Sequence, residues 1–304
     1  MKLATKKYLC VLLCLMFAIP FFAVNASAAE QTSKLTLVYN SNDVYFEDLQ
    51  IFAYRVADIG ADGAYTLCGD FADYPVNVKV VKNQEEWRAI ATTLSGYISA
   101  DKVEHTAVAT TDTNGEAVFS DLEMGLYLIS GVNTEYNDLV YAFETFFMTL
   151  PRPDENGAPQ YEVTAIPKYS TYVPEPDDIE YRVLKQWKDD GNEKRPVSVA
   201  VEIYKNGVLD SKQTLSAEND WSYSWTAKDD GSVWTVVERD VVEGYAVSVD
   251  KKETTFIITN TFETETPPPE TGDTFVAWPY ILAMFAFGAI LVLLSVSFKK
   301  VKDE

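Results

Sequence analysis

Short runs of alternating apolar and polar residues, cut by turn signals, constrain this chain more than any other feature. Val197, Val199, Val201 and Ile203 alternate with Ser198, Ala200, Glu202 and Tyr204. Successive strand side chains point to opposite faces, so this period of two reads as a half-buried strand. Lys205-Asn206-Gly207 then turns the chain, because Asn-Gly accepts positive φ. Trp221, Tyr223 and Trp225 repeat the period. Two segments of this character, 32–170 and 179–262, fit between the chain ends, and both read as all-β sandwiches. The break between them lies in Tyr169–Ile179, YSTYVPEPDDI, where proline and acid cluster.

Three polar residues break the pattern of the second segment. Lys185 is in phase with Val183 and Trp187, Glu238 with Trp234 and Val236, and Asn260 with Phe256, Ile258 and Phe262. Each is expected to face the apolar side of its strand. A buried lone charge is costly unless it is paired or neutralised. Three such residues, from the first, a middle and the last strand, suggest one shared site. They are the groups an intramolecular isopeptide bond needs: an amine to attack, a carboxamide to be attacked, and an acid to polarise the carbonyl and relay a proton. A buried Lys–Glu ion pair with an Asn at a strand end fits the same periodicity, which leaves both readings open.

The first segment reads as strands at Leu35–Tyr39, Leu49–Val56, Ala117–Phe119, Leu126–Ile129, Thr145–Leu150 and Tyr161–Ile166. Between them Asn83 is placed to cap a helix that carries Trp87, Ile90, Ala91, Leu94 and Ile98 on one stripe, its core face. Thr113-Asn114-Gly115 is a hairpin-type turn. No Asn follows the last strand, so no crosslink of the second segment's kind is expected here.

Val183-Leu184-Lys185-Gln186-Trp187-Lys188-Asp189-Asp190, Lys194-Arg195-Pro196, Trp234-Thr235-Val236-Val237-Glu238, Glu243-Gly244-Tyr245 and Ile258-Thr259-Asn260-Thr261 resemble the CNA-B domain in that family's order. The resemblance implies an inverse immunoglobulin-like sandwich in which Lys185 and Asn260 are crosslinked and Glu238 is the catalytic acid. The first segment is similar to the N-terminal domain of sortase-assembled pilins through Phe52-Ala53-Tyr54-Arg55-Val56-Ala57-Asp58, the run Thr111–Phe119 and Gly125-Leu126-Tyr127-Leu128. Val163-Thr164-Ala165-Ile166-Pro167-Lys168 resembles the pilin motif, which implies that Lys168 accepts the threonyl group of the next subunit. An ordinary solvated lysine is the other reading of Lys168.

Both chain ends agree with export. Lys2, Lys6 and Lys7 precede an apolar core, and Ala26-Ser27-Ala28 offers small residues for cleavage, so 1–28 reads as a signal peptide. The segment 263–304 holds Pro268-Pro269-Glu270-Thr271-Gly272, an apolar span 275–298 without charge, and a basic tail. As a helix the span would be roughly 36 Å long, enough for a hydrocarbon core of about 30 Å. The five-residue motif resembles the LPxTG sorting signal, with Pro268 in place of Leu. That implies sortase cleavage between Thr271 and Gly272 and attachment to peptidoglycan or to another subunit.

The formal net charge of −21 argues against nucleic acid as a partner. Only Cys68 remains after processing, so no internal disulfide forms. The single His105 gives no support for a metal cluster or a Ser-His-Asp triad, and no metal or cofactor is expected. Acid pairs such as Asp189-Asp190 sit in turn-like sequence, where solvated acids are common. The expected protein is a non-enzymatic, wall-anchored pilus subunit: two tandem immunoglobulin-like sandwiches, the first with an inserted helix, between a signal peptide and a transmembrane helix. Its partners would be a sortase, other pilin subunits and peptidoglycan. A monomeric wall-anchored adhesin for a host protein or glycan is the alternative.

Overall fold

Period-two alternation is realised as strands over most of the chain. The computed structural model describes residues 31–262, apart from 175, 176, 192, 193 and 229. The expected signal peptide 1–28, the cleavage pair Thr271 and Gly272, and the apolar span 275–298 lie outside the described residues. Among the described residues no helix is long and apolar enough to cross a membrane.

The first part contains β1 (Ser33–Val38), β2 (Gln50–Ile59), β3 (Tyr65–Leu67), helix α1 (Gln84–Asp101), β4 (Ala107–Thr110), β5 (Glu116–Leu122), β6 (Gly125–Ile129), β7 (Val132–Tyr136), β8 (Leu139–Phe143), β9 (Phe146–Leu150), β10 (Glu162–Ala165) and β11 (Tyr169–Tyr172). They form three sheets, ordered β10-β1-β5, β11-β8-β7 and β9-β6-β2-β3, with β4 also paired to β2. One core cluster lies here, with Leu35, Leu37, Tyr39, Ile51, Phe119, Tyr127, Ile129 and Leu150 buried.

The second part contains β12 (Asp178–Lys188), β13 (Ser198–Lys205), β14 (Val208–Ser216), β15 (Ser222–Lys228), β16 (Trp234–Arg239), β17 (Tyr245–Lys252) and β18 (Thr255–Phe262). Its sheets are β15-β12-β18-β17 and β14-β13-β16. The first strand β12 pairs in parallel with the last strand β18, Lys185 opposite Ile258 and Trp187 opposite Asn260. The β13–β14 hairpin turns at Asn206 (φ 50°) and Gly207 (φ 70°), the two positive angles that an Asn-Gly turn supplies.

Three findings differ from the sequence expectations. Tyr169–Tyr172 is a strand, paired antiparallel with β8, so the connection between the two parts is shorter than the stretch read as a break. Strands β3, β4, β7, β8 and β11 did not announce themselves, because they are short or only partly buried. The largest difference concerns α1. Asn83 caps it as expected, its side chain accepting from Glu86 N. Trp87 of the expected stripe packs on Phe147 at 5.1 Å between ring centroids. Yet Thr93, Gly96 and Tyr97 are buried too, and they face β16 and β17 of the second part. The helix thus has two core faces. One apolar cluster runs from Val56, Leu126 and Leu128 through Leu94 to Val236, Val249 and Phe256, where separate cores on either side of a linker were expected.

Candidate functional site

Strand geometry brings the three out-of-phase residues together. Lys185 on β12 and Asn260 on β18 belong to adjacent strands of one sheet. Glu238 on β16 comes from the facing sheet. All are buried, at 6, 2 and 1 % exposure for Lys185, Glu238 and Asn260. Lys185 Nζ lies 3.6 Å from Glu238 Oε2, and Asn260 Nδ2 donates to Glu238 Oε1 at 2.6 Å. The amine also donates to Gln186 O at 2.9 Å.

Electrostatics at this site is governed by burial. Desolvation pushes the Lys185 amine down to about 8, although the Glu238 carboxylate pulls it back up. At pH 7 that leaves about one amine in ten uncharged, against roughly one in three thousand for an ordinary lysine. Burial likewise raises the Glu238 carboxyl, opposed by Lys185 and by the Asn260 hydrogen bond. Glu238 Oε2 and Asn260 Oδ1 are buried without a hydrogen-bond partner, an unsatisfied arrangement that costs free energy. The amide nitrogen, rather than the carbonyl, faces the acid. Of the two roles expected for Glu238, polarising the carbonyl and relaying a proton to the leaving nitrogen, this contact bears on the second.

The sequence reading assigned no role to the residues that roof this site. Lys185 Nζ stands 3.9 Å from the Trp187 ring centroid, and the Arg195 guanidinium lies over the same ring at 5.3 Å. Arg195 pairs with Asp189, and Tyr245 Oη donates to Asp189 at 2.8 Å. These contacts hold the Asp189 carboxyl below its usual range, the Arg195 hydrogen bond most of all. The acid read as a solvated turn residue thus anchors the loop after β12. Trp187, Asp189, Arg195 and Tyr245 all lie in the motifs quoted for the family resemblance, which was the available signal.

Lys168 is exposed between β10 and β11. Its carbonyl accepts from Glu144 N at 2.9 Å, and it lines a cleft of about 590 Å³ with Trp87, Glu144 and Phe147. His105 is exposed and packs on Phe52 at 5.0 Å.

Residues 181–261 match the family described as Cna protein B-type domain. That stretch holds the whole buried trio. A collagen adhesin of Staphylococcus aureus is 31% identical over 139 residues, which cover 40% of this chain and 12% of the adhesin. The chain thus spans about an eighth of that relative's length. Among solved structures, a single B repeat unit of the collagen-binding surface protein of S. aureus shares 19% identity, over 77% of this chain and 99% of that one, with a TM-score of 0.27. The major pilin SpaD of Corynebacterium diphtheriae shares 15%, over 76% and 64%, with a TM-score of 0.31. The shaft pilin SpaA of Lactobacillus rhamnosus GG shares 15%, over 78% and 100%, with a TM-score of 0.27.

Proposed function

We propose that the chain is a structural subunit of a sortase-assembled, wall-anchored pilus, stabilised by an amide bond between Lys185 and Asn260. The observation that carries the crosslink is the burial of an amine, an acid and a carboxamide in contact inside the sandwich. Uncharged Lys185 Nζ attacks Asn260 Cγ. The Nζ–Cγ bond forms and the Cγ–Nδ2 bond breaks. One Nζ proton passes through the Glu238 carboxyl to Nδ2, which leaves as ammonia. The 2.6 Å contact between Nδ2 and Glu238 Oε1 supports that proton delivery. The bond joins strands that are already paired, so little motion is needed.

Intact mass of the mature chain tests the crosslink. Loss of ammonia lowers it by about 17 Da per bond, and Lys185→Ala restores the full mass. An unreduced mass in the wild type overturns the assignment.

The assembly role rests on the sorting-type signal with Thr271 and Gly272 as cleavage pair, and on the exposed amine of Lys168. Wall extracts are expected to show a covalent ladder of multimers that Lys168→Ala removes. The 31% match to a collagen adhesin favours a second reading, a monomeric wall-anchored adhesin. A single wall-linked band, unchanged by Lys168→Ala, would select it.

A further inference from the structure

Strands β16 and β17 are the edge strands of their sheets, and one helix bonds to both. Edge strands carry unpaired backbone groups, and the gap between two sheet edges is where solvent reaches a sandwich core. Helix α1 lies across both. Val249 N on β17 donates to Thr93 Oγ1 at 2.7 Å. Tyr97 Oη donates to the backbone carbonyl of Glu238 on β16 at 3.1 Å. Val247 N donates to Pro75 O at 2.7 Å, in the segment leading to the helix. Asp101 at the helix end pairs with Arg239 at 2.8 Å.

The approach is close because the helix presents small residues. A Cβ on Gly96 would lie 3.0 Å from Val236 O and 3.1 Å from Val237 Cγ2. Val237 belongs to the opposite face of β16 from Val236 and Glu238, yet all three are 2 % exposed. Tyr97, stacked on Tyr74 at 4.3 Å, fills the space beside Glu238's backbone and is 4 % exposed.

From this geometry we infer that α1 is the water seal of the Lys185–Glu238–Asn260 site, with Tyr97 and Gly96 as positioning residues for the crosslinking reaction. The inference rests on the proposed amide bond and goes beyond it. The acid needed for the second part's chemistry sits on an edge strand, and the first part supplies the cover. Without that cover water reaches the strand edge, both groups regain their charged forms, and the uncharged amine needed for attack becomes scarce. The bond therefore forms after the two parts have docked, and it then locks a sandwich whose edges are already closed.

The test follows the lighter species over time in the full chain, made by cell-free synthesis in detergent, by intact mass. Tyr97→Ala opens the seal, and crosslinking is expected to slow about tenfold or more. Tyr97→Phe keeps the ring and is expected to return the rate to within about threefold of wild type. Gly96→Val, which drives the helix off β16, is expected to behave like Tyr97→Ala. Leu37→Ala weakens the first part's own core away from the helix and controls for general destabilisation. It is expected to crosslink at the wild-type rate. A wild-type rate in both Tyr97→Ala and Gly96→Val overturns the seal while leaving the crosslink standing. Equal slowing in Leu37→Ala also overturns it, since the effect would then be general destabilisation alone. A wild-type chain that never loses mass overturns the crosslink, and the seal with it.

Discussion

The two parts of this molecule are built from the same kind of strand and bury different polar groups. The core of the first part, around Leu37, Ile51, Tyr127 and Leu150, is apolar, and its buried polar residues away from α1 are hydroxyls, Ser33, Ser41 and Thr111. Thr111 Oγ1 is already used by Leu49 N at 2.8 Å. The core of the second part encloses Lys185, Glu238 and Asn260. Packing alone suffices in the first case. In the second, a polar cluster that would weaken a sandwich would become tolerable through the proposed amide bond, which turns two costly groups into one. The difference teaches that buried polarity inside a sandwich differs in kind: Thr111 serves the backbone and Ser41 accepts from Tyr169 Oη, whereas an amine, acid and carboxamide in contact are the set that the proposed crosslink needs.

The largest expected effect would break this contrast. Lys185→Ala should remove the 17 Da deficit and lower the stability of the second part by roughly 4 kcal/mol, the amount expected by analogy with a disulfide closing a loop of about 75 residues, with a further cost from the unpaired Glu238. Denaturant unfolding checks it. Leu37→Ala in the first part should cost about 3 kcal/mol through a cavity and leave the mass deficit intact. A change of mass in that variant would mean the two cores are not distinct in kind.

A pH series sharpens the comparison. In Asn260→Ala the bond cannot form and Lys185 stays buried as an amine. Its folded value, pushed down to about 8 by burial, lies below the ordinary 10.5. The unfolded chain then holds more protons in that window, so stability should rise by about 2–3 kcal/mol from pH 8 to 10.5. Thermal melts against the double variant Lys185→Met/Asn260→Ala isolate the effect. The wild type should lack it, because an amide does not titrate. The smallest effect concerns the helix both parts share: Asn83→Ala should cost about 1 kcal/mol by deleting the cap, read from the melting temperature.

Much of the second part was legible because its strands are long. The alternation Val199–Ile203 predicted β13, and the phase of Lys185, Glu238 and Asn260 predicted their burial. The first part was less legible. Strand β7, VNTEY, shows no buried residue, so its sequence carries no apolar period to find. Tyr169–Tyr172 looked like the start of a linker, since its pairing with β8 is made by backbone and leaves three of four residues exposed.

The sequence by itself determined which side chains share a face of each strand, because that depends only on a local period of two. It also announced the α1 cap and its apolar stripe, which are local as well. Only the tertiary structure decided that Lys185, Glu238 and Asn260 meet, since their contact depends on which strands neighbour which across some 75 residues of chain. It alone decided that α1 has a second buried face. Thr93, Gly96 and Tyr97 look like ordinary small and amphipathic helix residues until two unpaired sheet edges are laid against them, and the burial of those edges is a property of the assembled fold.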